Sequence, residues 1–424
     1  MMKAYPEYKN SNVETIGKIP ATSHLVKLAY IFSDSNAGEV IEKAFWDRGN
    51  ETLYTCKKTP MKSDYDNFPD RKKTTPNDLL LTRNGTPYVH KPLLNSIYSN
   101  VVQRITLTKD FNRDYVKYAL SDRARFLRGY GVSIESLNFE MWKEIQIIKF
   151  SLEEQFKIVN YLDTETFRID NLISEKEKFI KLLNEKRNAL IAETVTKGLD
   201  KSLKMKPSGI DWIGEIPEHW ELTKLRYVGQ CQNGINIGGD AFGSGYPFIS
   251  YGDVYNNRAL PDKIKGLVQS TPQDREIYSI QAGDVLFTRT SETIDEIGFT
   301  SVCYKDMPDA VFAGFLIKFR PKKNAINPLF SEYYFQNEKL RAFFVKEMNL
   351  VTRASLSQEL LKRMPVPLPP ENEQREIAEY LSNKDKKINE LIKETKSSIE
   401  LLKEHRTALI SAAVTGKIDV REVA

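Results

Sequence analysis

The stretch SLEEQFKIVNYLDTETFRIDNLISEKEKFIKLLNEKRNALIAETVTKGLD, residues 151–200, decides the reading of this chain. It returns without a gap as PENEQREIAEYLSNKDKKINELIKETKSSIELLKEHRTALISAAVTGKID, residues 370–419, at a constant offset of 219 (Ser151 to Pro370). Identical pairs include Glu154/Glu373, Gln155/Gln374, Ile158/Ile377, Ile169/Ile388, Arg187/Arg406 and Val195/Val414. So long a period marks a duplicated half-molecule rather than a solenoid array.

Each copy reads as one long helix. Ser151-Leu-Glu-Glu154 has the form of a capping box, with Ser151 as N-cap and Glu154 reaching back. Leu162, Ile169, Leu183 and Leu190 then recur at seven-residue spacing, with Ile173 and Ile180 on a flanking row and Lys176 interrupting the main one. The second copy repeats the seam as Leu381, Ile388, Leu402 and Leu409, with Ile392 and Ile399 beside it and Thr395 in the place of Lys176. Pro369-Pro370 suits a helix start, and Gly198 and Gly416 suit the two ends. About 45 residues at 1.5 Å each make a rod of roughly 65–70 Å. A helix that long needs its apolar stripe covered. The two copies therefore pair as an antiparallel intramolecular coiled coil with approximate two-fold symmetry.

Working outward, the segments before each rod repeat more loosely. Ile16-Gly17-Lys18-Ile19-Pro20 returns as Ile213-Gly214-Glu215-Ile216-Pro217. Asn77-Asp78-Leu79-Leu80-Leu81-Thr82-Arg83 returns as Gly283-Asp284-Val285-Leu286-Phe287-Thr288-Arg289, and Phe111 and Tyr115 as Phe330 and Tyr334. Fixed points with variable loops between them describe one frame carrying two different surfaces. Short β-rich runs (Val101–Leu107, Tyr246–Tyr251, Val285–Thr288, Phe312–Arg320) followed by helical stretches (Asn112–Phe126, Pro328–Phe344) make each segment mixed α/β. The chain divides into a first mixed domain (1–150), a helical spacer (151–206), a second mixed domain (207–369) and a second spacer (370–424). Gly198–Gly209, polar and Lys-rich, reads as a hinge between the halves.

Composition narrows the function classes. With 41% hydrophobic and 28% charged residues the chain is of ordinary soluble type. No apolar run is long enough for a bilayer, and MMKAYPEYKNSN lacks a signal peptide's apolar core, so the expected location is cytoplasmic, without membrane contact. Cys56, Cys231 and Cys303 are odd in number and far apart, which suits reduced, partly buried thiols. Four histidines and no Cys-x-x-Cys argue against zinc, and no metal site is expected. The net charge is +5, and residues 1–150 hold the excess, Lys and Arg outnumbering Asp and Glu there by six. That distribution suits a polyanionic partner.

Catalytic motifs are missing. There is no phosphate loop and no Gly-x-Ser-x-Gly elbow. The glycines of Gly238-Gly239-Asp-Ala-Phe-Gly243-Ser-Gly245 read as a turn, and Asp78 and Asp284 as turns into strands rather than metal ligands. No catalytic residue is assigned. Binding chemistry is better represented. Lys57-Lys58, Arg71-Lys72-Lys73, Arg83-Asn84 and Arg123/Arg125/Arg128 cluster in the first domain; Gln232-Asn233 with Asn236, Asn256-Asn257-Arg258 and Arg289-Thr290 cluster in the second. Arg, Lys, Asn and Gln read base edges and hold phosphates. Arg83 and Arg289 each follow a repeated strand, so either can hold a phosphate in the same way in its own half.

These residues, in this order, resemble a known family. The Ile-Gly-x-Ile-Pro openings, Gly283-Asp-Val-Leu286, the entry Val366-Pro-Leu-Pro-Pro-Glu-Asn-Glu-Gln374 and the ending Ala413-Val-Thr-Gly-Lys-Ile-Asp419 are similar to the specificity subunit of type I restriction–modification systems, over residues 15–420. The first rod departs from the pattern in entering without prolines, and the first domain in having Asn77-Asp78 for Gly-Asp. The resemblance implies two target recognition domains, each reading half of a bipartite site on double-stranded DNA, held apart by the helix pair. It implies docking of two methyltransferase subunits and, beyond them, two restriction subunits. S-adenosylmethionine, ATP and Mg would then belong to those partners, this chain carrying no cofactor and no active site.

Two rival classes share some of these features. A coiled-coil protein-interaction adaptor has the rods but no need of matched frames with Arg- and Asn-bearing loops. An enzyme, such as a fused nuclease–methyltransferase, needs an Asn-Pro-Pro-Tyr-like tetrapeptide, which Asn327-Pro328-Leu329-Phe330 matches only in outline. A specificity subunit of an enzyme cutting on both sides of its site is a variant within the class.

Overall fold

The computed structural model describes residues 4–128, 137–291, 297–347 and 354–421. The chain forms two compact units: Met1–Glu177 with Lys396–Ala424, and Lys178–Thr395. The boundaries cut through both long helices, Leu152–Lys197 and Glu371–Val414, so each unit holds one mixed α/β domain and part of each helix.

The two domains share their sheets strand for strand. The first unit has a four-stranded antiparallel sheet in the order Phe32–Ala37, Val102–Leu107, Asp78–Thr82, Val89–His90. The second has Gly229–Asn233, Leu316–Pro321, Val285–Thr288, Thr300–Val302 in the same order. A three-stranded sheet accompanies each, and each has one parallel pair: Leu53↔Ile97 in the first, Phe248↔Val311 in the second. A strand before each domain closes on the strand that leaves it, His24–Lys27 on Gln146–Lys149 and Glu221–Lys224 on Pro365–Leu368.

The helix starts are equivalent despite the missing prolines. Ser151 Oγ accepts from the Glu154 amide at 3.2 Å, while the Glu154 carboxylate accepts the Tyr5 hydroxyl at 2.7 Å. Gln155 and Gln374 then repeat one job. Each side-chain oxygen accepts a backbone amide at 2.8 Å, from Asn112 and Asn327, and each side-chain nitrogen donates to the carbonyl just before its helix, at Phe150 and Pro369. Both glutamines are buried, so these bonds satisfy groups that water cannot reach. Gly198 and Gly416 end the helices at φ +75° and +65°, the left-handed cap conformation.

The helices run antiparallel within each unit. In the first, the Arg406 guanidinium holds Asp170 through two bonds of 2.8 and 3.1 Å, and Phe150 lies against Gly416. In the second, Arg187 reaches Asp385 at 2.8 Å and Asn389 at 2.5 Å, and Gly198 lies against Glu373. Arg187 and Arg406 are repeat equivalents, as are Asp170 and Asn389, so the cross-helix contact is itself duplicated. Leu162, Ile169, Leu183, Leu381, Ile388, Ile399 and Leu409 are buried; Ile173, Ile180, Leu190, Ile392 and Leu402 are half-buried. Each fully buried side chain of this size contributes about 1.5–3 kcal/mol. Thr395, where the seam is interrupted, returns its hydroxyl to the Leu391 carbonyl at 2.7 Å.

Several expectations change. Gly198–Gly209 is no hinge: Met205–Pro207 pairs with Glu215–Pro217 inside the second unit. Asn112 and Asn327 both cap helices, at Arg113–Ala124 and Pro328–Phe335, so the true equivalence there is Tyr115 with Phe330 rather than with Tyr334. The stretch Pro328–Phe344 is two helices, the second being Leu340–Glu347. Phe312–Arg320 is broken into Val311–Phe312 and Leu316–Pro321. Tyr251 begins a short helix whose N-cap Ser250 forms a capping box with Asp253. The Gly243 and Gly245 region is a bulged strand rather than a turn, with both glycines at positive φ.

Candidate nucleic-acid interface

The repeated Asp-to-Arg strands build the same corner twice. Asp78 is fully buried and accepts the Thr75 amide and the Thr106 hydroxyl, each at 2.6 Å. Asp284, also fully buried, accepts the Gln281 amide at 2.8 Å and both arms of the Arg320 guanidinium at 2.8 and 2.6 Å. These carboxylates are spent on turns and on neighbouring strands. The two turns share a backbone bond, from Asp78 N–H to Thr75 O and from Asp284 N–H to Gln281 O, but Gly283 stands at φ +92° and Asn77 does not adopt that left-handed conformation. No group of His, Cys, Asp and Glu suited to a metal ion occurs among the described residues.

At the far end of the same strands stand Arg83 and Arg289. The Arg83 amide donates to Val101 O at 2.8 Å and its carbonyl accepts from Leu137; the Arg289 amide donates to Phe315 O at 2.9 Å and its carbonyl accepts from Leu356. The backbone frames correspond bond for bond. The side chains differ. Arg83 is half-buried, and its guanidinium has no partner among the described residues, whereas Arg289 Nη1 points to Gly314 O at 3.4 Å. Asn84 and Thr290 follow directly, Thr290 paired with Ser355.

The remaining candidates of the first unit fall into three groups. Lys57 and Lys58 are exposed and lie over the Trp46 and Tyr88 rings, each 6.0 Å from the centroid. Tyr88 meets His90, and His90 meets Tyr54, so Lys58 stands against an aromatic cluster. Burial pushes the His90 imidazole down to about 4. Lys72 pairs with Glu39 at 2.5 Å and Lys73 with Asp70 at 3.3 Å, while Arg71 is exposed beside them. Arg123 binds Thr15, Arg125 binds Asp122 at 3.0 Å and Ser411 at 3.2 Å, and Arg128 donates to the Arg125 and Leu127 carbonyls. These last three arginines tie the end of a helix to its surroundings.

In the second unit, Gln232 donates to Ile277 O at 3.0 Å, Asn233 is half-buried, and the exposed Asn236 lies against Gly314. Asn256 and Asn257 donate back to Gly252 O and Asp253 O at 2.9 and 2.8 Å. Arg258 reaches Asp385 on the second long helix at 3.1 Å. Tyr255, Asn256, Asn257 and Arg258 line one cavity. The cysteines are free; burial raises Cys231 to about 12 and Cys303 to about 11, so neither is a poised thiolate, and Cys56 is exposed.

Sequence reasoning missed Gly38 and Gly234. A Cβ at Gly38 falls 2.0 Å from Tyr98 O, and one at Gly234 falls 2.1 Å from Ala313 O. Each glycine lets one sheet pass close to the other where the chain crosses between them. The signal was a lone Gly at a strand end, too common to stand out without its partner strand.

Comparison with known proteins agrees with this duplicated frame. The model of the type I restriction modification DNA specificity domain matches residues 217–401. The MjaVIII specificity subunit of Methanocaldococcus jannaschii is 25% identical over 82% of this chain and 80% of its own length. The putative MjaX specificity subunit of the same organism is 28% identical over 48% of this chain, and the chain spans about half of that relative, 47%. Among solved structures, a chain of a type I R-M system studied for its complex assembly and conformational transition covers 94% of this chain at 17% identity, with a TM-score of 0.72 and 99% of its own length matched. The HsdS subunit of Thermoanaerobacter tengcongensis covers 94% at 18% identity, with a TM-score of 0.52 and 98% of its own length matched. The two matched domains and two repeated rods thus accompany a similarity to type I restriction–modification specificity subunits, and the fold is that of these solved structures.

Proposed function

We infer that this chain is the DNA sequence-recognition subunit of a type I restriction–modification complex. Each mixed domain reads one half of a bipartite site on double-stranded DNA, and the long helices set the spacing between the halves. The observation that carries this reading is one frame built twice, with the same backbone corner presenting Arg83 and Arg289 and with different loops around it. A shared frame supplies phosphate contacts common to both halves, and divergent loops supply different base readout.

The helices also support docking of two methyltransferase subunits. Leu172 and Leu391 are repeat equivalents and 37% and 43% exposed; Leu182 and Leu401 are equivalents and 60% and 63% exposed. Apolar positions exposed in duplicate suit two copies of one partner. Two restriction subunits join that assembly, and S-adenosylmethionine, ATP and Mg belong to the partners. No step of methyl transfer or cleavage is assigned to residues of this chain.

The test is DNA affinity against salt for the complex with its methyltransferase subunits. Arg83→Ala and Arg289→Ala are expected to weaken binding to specific and mixed-sequence duplexes alike. Each should reduce the slope of log K against log salt by about 1. An unchanged affinity and slope in both variants contradicts the phosphate role.

A further inference from the structure

One loop of the second unit is longer than its counterpart in the first. The three-stranded sheets pair in the same register, Thr52 opposite Lys62 in the first unit and Pro247 opposite Leu267 in the second. The path between those partners takes 10 steps in the first unit and 20 in the second. The added residues are firmly built. Ser250 caps the helix Tyr251–Tyr255, and the Asn256 and Asn257 amides return to its carbonyls. The chain then clips to the edge strand Thr300–Val302: the Val302 amide donates to Arg258 O, and the Leu260 amide donates to Val302 O, each at 2.9 Å. The backbone of Arg258 is thereby fixed.

Its side chain leaves the domain. Arg258 Nη1 donates to Asp385 Oδ2 on the second long helix at 3.1 Å. The same carboxylate meets Arg187 of the first long helix at 2.8 Å and the Asn389 amide at 3.3 Å. The Asp385 and Arg187 side chains are only 15% and 13% exposed. One carboxylate therefore ties the loop to both long helices.

The duplication shows that this joint is not needed to pair the helices. At the offset of 219, Asp385 corresponds to Thr166 and Asn389 to Asp170. In the first unit Arg406 takes Asp170, and Thr166 returns its hydroxyl to Leu162 O at 2.6 Å. In the second unit the carboxylate stands one turn nearer the helix start, a shift of about 6 Å, and an amide occupies the other place. The longer loop and the shifted carboxylate occur in the same half, and the shift puts the negative charge where Arg258 reaches it.

The domain is otherwise held through its other layer. Gln374 bonds the Asn327 amide at the helix start, and Tyr333 lies beside Ser382 as Tyr118 does beside Asp163 in the first unit. These contacts come from the helix Pro328–Phe335, whereas Arg258 comes from the loop of the three-stranded sheet. Asp385 lies 14 residues into its helix, about 21 Å along it. A brace there, from the other layer of the domain, opposes rocking about the first joint. We propose that Arg258 and Asp385 are positioning residues for half-site spacing: they brace the three-stranded sheet of the second domain against the long helices, so that its half-site is accepted at one distance. Arg258 then acts through Asp385 rather than on DNA. This rests on the DNA-recognition reading. A half-exposed ion pair is weak by itself, so the effect falls on discrimination between spacings rather than on folding.

The experiment uses the full chain with its methyltransferase subunits. Half-sites are taken from the methylome of the host, and affinity is measured for duplexes with the native spacing and with one base pair more or fewer. Arg258→Met removes the brace. The double variant Asp385→Thr with Asn389→Asp installs the first unit's arrangement, which leaves Arg187 a carboxylate and takes away Arg258's partner. Both are expected to reduce discrimination against the wrong spacings at least threefold, with discrimination against altered half-site bases unchanged. Arg258→Lys, which can still make a single bond to Asp385, is expected to keep the parent's discrimination. Spacing discrimination equal to the parent's in the double variant overturns the proposal, as does its loss in Arg258→Lys. So does a fall in affinity at every spacing in Arg258→Met alone, which would place Arg258 on the DNA itself. A parent complex that binds all duplex sequences alike overturns the recognition reading as well, which separates the two failures.

Discussion

At the scale of residues, the shared frame depends on places where side chains are forbidden or withheld from water. Gly38 and Gly234 sit where a Cβ would meet a carbonyl oxygen at 2.0 and 2.1 Å, so alanine there forces a strand to move. Gly38→Ala and Gly234→Ala are each expected to lower stability by about 1–3 kcal/mol. Gly238, at φ −69° with open space around it, is the control, and Gly238→Ala should stay within about 0.5 kcal/mol. Urea unfolding midpoints decide, and equal midpoints for all three variants contradict the close-approach argument. His90 makes a different expectation. Its folded affinity for protons lies at about 4, below the ordinary 6.5, because burial disfavours the charged ring. Between those values the unfolded chain takes up a proton that the folded chain does not. Stability is therefore complete above pH 6.5 and falls as pH drops toward 4, by up to about 3 kcal/mol from this residue. His90→Phe, placed among the Tyr54 and Tyr88 rings, should lose less stability than the parent between pH 7 and pH 4.5; an equal loss contradicts the assignment.

At the scale of elements, the long helices were the most legible part of the chain. Their seam, caps and ends follow from seven-residue spacing, a Ser-x-x-Glu start and glycine stops, all local signals. The Gln155 and Gln374 bonds were invisible as such, although both residues stood out as identities, because their partners lie more than forty residues away. The strand Phe312–Arg320 was read as continuous because Ala313-Gly314-Phe315 gives no strong break signal by itself. The turn there is set by contacts with Ile235, Ile249 and Arg289, which are remote in sequence. For the helices as docking surfaces, Leu182→Glu and Leu401→Glu are each expected to remove one methyltransferase copy, and the double variant both. Mass photometry of the mixed subunits reads the stoichiometry. Two copies retained by the double variant contradict docking at these positions. Exposed as both leucines are, neither change should alter stability by more than about 0.5 kcal/mol.

At the scale of the whole molecule, the repeat in the sequence corresponds to one architecture used twice. The equivalence runs further than the sequence identities, through both sheets, the crossing glycines and the Asp78 and Asp284 corners. Which loop side chains face a ligand was not legible, because Arg and Asn in loops have the same composition whether they serve a partner or the fold. Arg123 and Arg125 turned inward to Thr15, Asp122 and Ser411, and Lys72 and Lys73 to carboxylates, while the Arg83 guanidinium has no partner among the described residues. The account's central claim is that each half of the duplicated frame reads its own half-site. Exchanging residues 20–145 for those of a relative with a different specificity, with the methyltransferase subunits co-expressed, and sequencing the methylome of the host tests it most directly. The expected result is a new sequence in one half-site, with the other half and the spacing between them unchanged. A change in both halves, or in neither, would contradict the claim.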